Sequence, residues 1–190
     1  MRTFIAIELP EATRVVLYDF RELLRRKGMR ATWVKPKAMH LTLRFLGDVR
    51  EEEASTLSAI LTAWYSGMAA PVLLVRGIGA FPSLKRPGIL WAGVETLQGD
   101  LEALQQVAES AARQIGIAPD AKSFHPHITL ARFKKGENSR SAAQHVTPYL
   151  AEDMTPEFGN EFRASNVVLF NSTLTKNGPI YKILQEFPLS

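Results

Sequence analysis

The tetrapeptide His-x-Thr-Leu occurs twice, as "HLTL" at 40–43 and "HITL" at 127–130, in a chain with only four histidines. From this chain's own composition, such a tetrapeptide arises by chance about 0.03 times, so a common cause is required for the two copies. On a β-strand successive side chains face opposite ways, so His40 shares one face with Thr42, while Leu41 and Leu43 share the other. The same parity joins His127 to Thr129 and sets Ile128 and Leu130 behind them. The chain must therefore build two strands, each with an apolar anchoring face and a face carrying an imidazole and a hydroxyl.

The repeat is wider than the tetrapeptides. At an offset of 87 residues "FIAIE" at 4–8 falls on "WAGVE" at 91–95, and each is followed by a helical pattern closing at a glycine, Gly28 or Gly116. From that glycine to the motif histidine is 12 residues in the first half and 11 in the second. The ends of the halves correspond as well: "AFPSLKRPGILW" is similar to "LFNSTLTKNGPIY", with Trp91 opposite Tyr181. An internal duplication accounts for all of this. It predicts a single domain over 1–190 whose halves form two pseudo-symmetric lobes facing each other across a cleft.

Helical spacing covers 10–28, 50–67 and 97–116, with a weaker pattern over 139–152. Strands are predicted over 3–9, 39–46, 71–81 and 89–95, from about His127, and at 162–174 and 180–187, the last two forming a hairpin around "TKNGP". The hydrophobic fraction of 46% suffices for one core. Cysteine is absent, which excludes disulfides, thiolate metal sites and a cysteine nucleophile. No apolar run approaches the roughly 20 residues of a membrane span, so a cytoplasmic, monomeric protein without membrane contact is expected. The net charge of +4 favours a polyanionic partner.

Two imidazoles across a cleft, each beside a hydroxyl, suit phosphodiester cleavage, in which one histidine takes the nucleophile's proton and the other protonates the leaving oxygen. The hydroxyls of Thr42 and Thr129, with Arg44 and Arg132, would bind the phosphoryl oxygens. Strict alternation sends Arg44 to the histidine face but Arg132, preceded by the additional Ala131, to the buried one. A β-bulge at Ala131 is therefore expected, returning Arg132 to the cleft. His125 and His127 have a metal-ligand spacing, but Pro126 between them and the lack of an acidic cluster argue against a metal site, and the scheme needs none. Trp91 and Tyr181 open apolar strands, where core packing is the ordinary role; stacking on a base is the alternative, with Tyr181 the candidate.

The paired motifs resemble the signature of the two-histidine (2H) phosphoesterase superfamily. Their context, "FIAIELP", "HLTLRFLGDV", "HPHITLAR" and "GPIYKIL", is similar to its RNA 2',3'-cyclic phosphodiesterase branch, also called 2'-5' RNA ligase, over essentially the whole chain. The resemblance implies a bilobal α+β fold with an antiparallel sheet in each lobe, helices outside and a central cleft, and no cofactor. It implies hydrolysis of RNA 2',3'-cyclic phosphate ends to 2'-phosphates, with His40 as proton donor, His127 as proton acceptor, and Thr42 and Thr129 on the phosphate. Reversal, with a 5'-hydroxyl in place of water, would give 2'-5' ligation. The alternatives are a sister 2H enzyme acting on small cyclic nucleotides or 2'-5' oligoadenylate, and a module that binds RNA ends without turnover.

Overall fold

Among the described residues of the computed structural model, 1–134, 144–149, 156–176 and 178–190, the chain forms three long α-helices, a short helical segment at 144–146 and nine strands. Strand β1 (Arg2–Glu8) has its five central residues buried and leads into α1 (Glu11–Arg26), which turns Leu17 and Leu24 inward. The helix stops at Gly28, whose φ of +96° a residue without Cβ adopts freely, as the sequence predicts. A short β2 (Thr32–Trp33) and a 3-10 turn at Pro36–Ala38 carry the chain to β3 (His40–Asp48). Helix α2 (Glu51–Tyr65) opens with three glutamates, which its dipole stabilises.

Strands β4 (Val72–Phe81) and β5 (Ile89–Gln98) follow as a hairpin. Helix α3 (Leu101–Gln114) is capped by Asp100, whose carboxylate accepts from the Ala103 N–H at 2.8 Å. The second motif strand is β6 (His127–Arg132); then come β7 (Phe162–Arg163), β8 (Asn166–Thr175) and β9 (Gly178–Pro188). Most of the helix expected at 139–152 lies outside the described residues, as does Asn177 of the final turn. The strand expected over 162–174 is two strands, because the backbone at 164–165 crosses from one end of the sheet to the other.

All the strands belong to one antiparallel sheet, in the order β7-β4-β5-β6-β3-β1-β8-β9, with β2 pairing alongside β6. The two motif strands are central neighbours and meet at one residue pair, Leu41 opposite Ile128. On either side of that seam lies a lobe, so the two expected sheets are joined edge to edge. Each lobe draws strands from both halves of the sequence: β4 sits beside β5, while β8 and β9 sit beside β1. The ladders also correct the alignment of the first strands. Ile5 lies opposite Arg44 and Leu90 opposite Ala131, a correspondence at 85 residues, not 87. A slip of two residues leaves every side chain on its original face.

The face opposite the histidines is the core. Leu41, Leu43, Ile128 and Leu130 are at most 3% exposed and belong to one apolar cluster with residues of all three helices. The Tyr65 hydroxyl donates to the Leu104 carbonyl at 2.9 Å and ties α2 to α3. Among the described residues no helix is long and apolar enough to cross a membrane. Because Leu41 has no exposed surface at the seam, Leu41→Ala is expected to lower the unfolding free energy by about 2–5 kcal/mol. Urea denaturation followed by circular dichroism measures this.

Candidate active site

Both motif strands are bulged at the same place. In β6 the ladder to β5 pairs Trp91 with Thr129 and Leu90 with Ala131, leaving Leu130 as the additional residue. The Leu130 carbonyl is not orphaned, since the Val34 N–H donates to it at 2.9 Å. The bulge buries Leu130 and Ala131 on successive positions and returns Arg132 to the histidine side, where it lines the cavity described below.

In β3 the ladder to β1 pairs Thr42 with Ala6 and Arg44 with Ile5, leaving Leu43 as the additional residue. This corrects the expectation for Arg44. The bulge turns it away from the cleft onto the helix side, where it is 7% exposed. There its guanidinium pairs with Glu109 of α3 at 2.6 Å and with Asp120 at 3.5 Å, and donates to the Phe45 and Ala118 carbonyls. Phe45 takes the cleft position instead. The backbones of the two motifs therefore match residue for residue at an offset of 87, and Ala131 is no insertion: it corresponds to Arg44, and Arg132 to Phe45.

Each motif histidine is held by the carbonyl two residues before it. His40 Nδ1 lies 2.9 Å from the Ala38 oxygen and His127 Nδ1 lies 2.7 Å from the His125 oxygen. A carbonyl only accepts, so Nδ1 carries the hydrogen in both rings and Nε2 is left for a ligand. The antiparallel seam at Leu41 and Ile128 brings His40 level with Thr129 and Thr42 level with His127.

A cavity of about 710 Å³ opens over this seam. His40, Thr42, Thr129 and Arg132 are on its lining; His127 is not, yet its charge is felt at His40. Tyr181 also lines it, edge-on to His40 at 5.2 Å, while Phe4 stacks on His40 at 4.6 Å. On the other lobe Phe81 stands edge-on to His127 at 5.0 Å, and Trp91 lies 6.3 Å from it. The sequence correspondence of Trp91 with Tyr181 is therefore one of place, with each ring beside a motif histidine. His125 directs its ring to Trp91 at 4.8 Å and Phe81 at 5.5 Å. Sequence reasoning missed Phe4, Phe45 and Phe81 as site residues, and Trp33, which also lines the cavity. Phe4 and Phe81 were readable by strand parity; Phe45 required the bulge, and Trp33 required the pairing of β2 with β6.

Electrostatics follow from this apolar setting. Burial pushes the His40 imidazole down to about 4, and the charges of His127 and Arg132 push the same way, against the opposing Ala38 hydrogen bond. His127 is lowered as well, first by burial, then by the charges of His125 and Arg132. Burial raises the Tyr181 hydroxyl, against the nearby charges of Arg132 and Arg2. Both histidines are neutral near pH 7 while no anion occupies the site.

The family model described as LigT like Phosphoesterase matches residues 7–91 and 93–181. The chain belongs to this family of 2H phosphoesterases. It is 33% identical to a Thermotoga maritima RNA 2',3'-cyclic phosphodiesterase over 98% of this chain and 94% of the relative. It is 31% identical to a Methanocaldococcus jannaschii protein of the same name, over 98% of this chain and all of the relative. A crystal structure of a Thermus thermophilus protein superposes with a TM-score of 0.80 at 29% identity, covering 100% of this chain and 98% of that one. The fold is also that of Escherichia coli LigT, whose complex with 3'-AMP superposes with a TM-score of 0.74 at 22% identity, over 100% of this chain and 98% of that one.

The two arginines should separate in experiment. Arg44→Ala removes the nearer of the two cations on half-buried Glu109, leaving Arg113 at 3.1 Å, and is expected to cost about 1–3 kcal/mol of stability in urea titration. Arg132→Ala, at an exposed position, should stay within about 0.5 kcal/mol of the parent while weakening inorganic phosphate binding in calorimetry.

Proposed function

We propose that this protein hydrolyses RNA 2',3'-cyclic phosphate ends to 2'-phosphomonoesters, with His40 and His127 as proton donor and acceptor. The observation that carries the reading is the crossed pair: two imidazoles, each with Nδ1 fixed on a carbonyl, each level with the other motif's threonine. The relatives named RNA 2',3'-cyclic phosphodiesterase support it at 31–34% identity over most of the chain. The duplicated architecture is part of the proposal, supported by the matching bulges on either side of the seam.

The chemistry requires one proton taken and one given. With the cyclic phosphate over the seam, Thr42, Thr129 and Arg132 donate to its non-bridging oxygens and stabilise the charge that grows there in the pentavalent state. His127 Nε2 accepts a proton from water as the water oxygen bonds to phosphorus. His40 Nε2 donates its proton to the 3'-oxygen as the P–O3' bond breaks. The products are a 2'-phosphate and a free 3'-hydroxyl; His127 then carries the water's proton, His40 has given its own to the 3'-oxygen, and exchange with solvent resets both. A 5'-hydroxyl in place of water would leave a 2'-5' linkage, in competition with bulk water.

A donor must be protonated, and the empty site keeps His40 neutral. The bound phosphate supplies the missing counter-charge, so binding raises the His40 value and takes up a proton. The sign follows directly. Affinity is greatest at low pH and declines as pH rises above about 4 through the value of the complex. Calorimetry of a 2'-nucleotide at pH 7 in two buffers of different ionisation enthalpy should register net proton uptake, lost in His40→Asn. Zero uptake would remove His40 as donor.

His40→Ala and His127→Ala are each expected to lower kcat on a cyclic-phosphate-ended RNA by about 10²–10⁴ with the fold retained, and the parent should keep its activity in EDTA. Identification of a 3'-phosphate product, or turnover confined to 2'-5' oligoadenylate, would overturn the assignment.

A further inference from the structure

The cavity is larger and more cationic than one cyclic phosphate requires. Arg132 stands at the seam, but three further cations, Arg2, Lys35 and Lys176, line the same space, and among the described residues no aspartate or glutamate does. All three are exposed, and among the described residues no carboxylate lies within ion-pair distance of any of them. Arg2 and Lys176 come from different elements, β1 and the turn after β8.

Arg2 lies well away from the seam. Along β1, Glu8 pairs with His40 and Arg2 with Asp48, so six residues, roughly 20 Å of strand, separate the two levels. The side chain is nonetheless aimed along the cavity, with its guanidinium carbon 5.0 Å over the ring of Phe45, the residue that the β3 bulge turned outward. The Tyr181 hydroxyl, on the same cavity lining, is near enough to feel the charges of both Arg132 and Arg2. Beside Arg2, the apolar Leu174 and Pro179 of the β8–β9 hairpin line the wall. A guanidinium over an aromatic ring, without a carboxylate partner among the described residues and in a cavity with apolar wall, is suited to a phosphodiester linked to bases.

We propose that the Arg2 end of the cavity, with Lys176, holds the phosphodiester that joins the terminal nucleotide to its 5' neighbour, so that the substrate is an RNA chain end and not a free cyclic nucleotide. This rests on the phosphodiesterase reading above and adds a second phosphate subsite to it. Long-range attraction by the same charges would favour every anionic substrate alike; a subsite favours those with a second phosphate.

The test compares a 2',3'-cyclic mononucleotide with a dinucleotide and a trinucleotide that end in the same cyclic phosphate. The full chain is expected to show a kcat/KM about tenfold or more higher for the dinucleotide than for the mononucleotide. Each additional phosphate contact should steepen the log–log salt dependence by about 0.7. The double variant Arg2→Gln, Lys176→Gln should lose that preference, falling about tenfold on the dinucleotide and less than about threefold on the mononucleotide. Equal kcat/KM on all three substrates, or a double variant that falls by the same factor on each, would overturn the subsite. If none of the three is turned over, the phosphodiesterase reading fails instead. The subsite is then judged on the Kd values of the same three molecules, and no length dependence there overturns it.

Discussion

The contact between the two motif strands governs everything else in this structure. Leu41 and Ile128 form the one residue pair at which β3 and β6 meet, both without exposed surface, in a core that includes residues of all three helices. Because side chains alternate, burying these residues on the helix side presents His40, Thr42, His127 and Thr129 on the other. A slip of one residue in either strand would send its histidine and threonine into the core and its leucines into the cleft. The cost of burying those polar groups and exposing those leucines therefore fixes the register of the site. The antiparallel direction also crosses the motifs, so that each histidine is level with the threonine of the other strand.

The paired bulges explain how one backbone yields two chemically different half-sites. At residues 43–44 and 130–131 the strands each put two successive residues on the core side, and the next residue reaches the cleft. In the first copy the inward residue is Arg44 and the outward one Phe45; in the second they are Ala131 and Arg132. The first lobe must consequently bury a guanidinium, which it does against Glu109 and Asp120, and in exchange it gains an aromatic ring on the cleft. A buried cation of this kind contributes little net stability while paired, and its loss would leave half-buried Glu109 to its second ion pair, with Arg113 at 3.1 Å. At this one position a cation, Arg132, stands in one half and a ring, Phe45, in the other, which gives an asymmetric substrate a direction to lie in.

Much of this was legible in the sequence, and the remainder was hidden for physical reasons. The helices at 11–26, 51–65 and 101–114 were carried by apolar spacing and by capping residues, all local signals. The parity of His40 with Thr42 and of His127 with Thr129 followed from strand alternation alone. Arg44 was misread because a bulge is not written in the residues that make it; it becomes visible only when a partner strand shows which residue lacks an opposite number. The strand break at 164–165 and the exchange of strands between lobes are likewise properties of pairing. The carbonyls that fix Nδ1 of each histidine depend on the turn before the strand, of which the sequence displayed only Pro36 and Pro126.

The aromatic surroundings of the histidines have a price that catalysis can turn to use. Phe4 and Tyr181 against His40, and Phe81 against His127, withdraw water from both rings and disfavour their charged forms. An empty site of this kind carries no fixed imidazolium, so it does not hold solvent anions through a permanent pair of charges. A phosphodiester seated beside Arg132 reverses the balance, because the same low polarity that penalises a lone imidazolium strengthens its attraction to a neighbouring anion. The proton then arrives together with the substrate, on the one nitrogen, Nε2, that the Ala38 carbonyl leaves unengaged. On the proposed reading, the depressed value of His40 is compatible with a donor role in the complex, and acid catalysis is then conditional on a phosphate being in place.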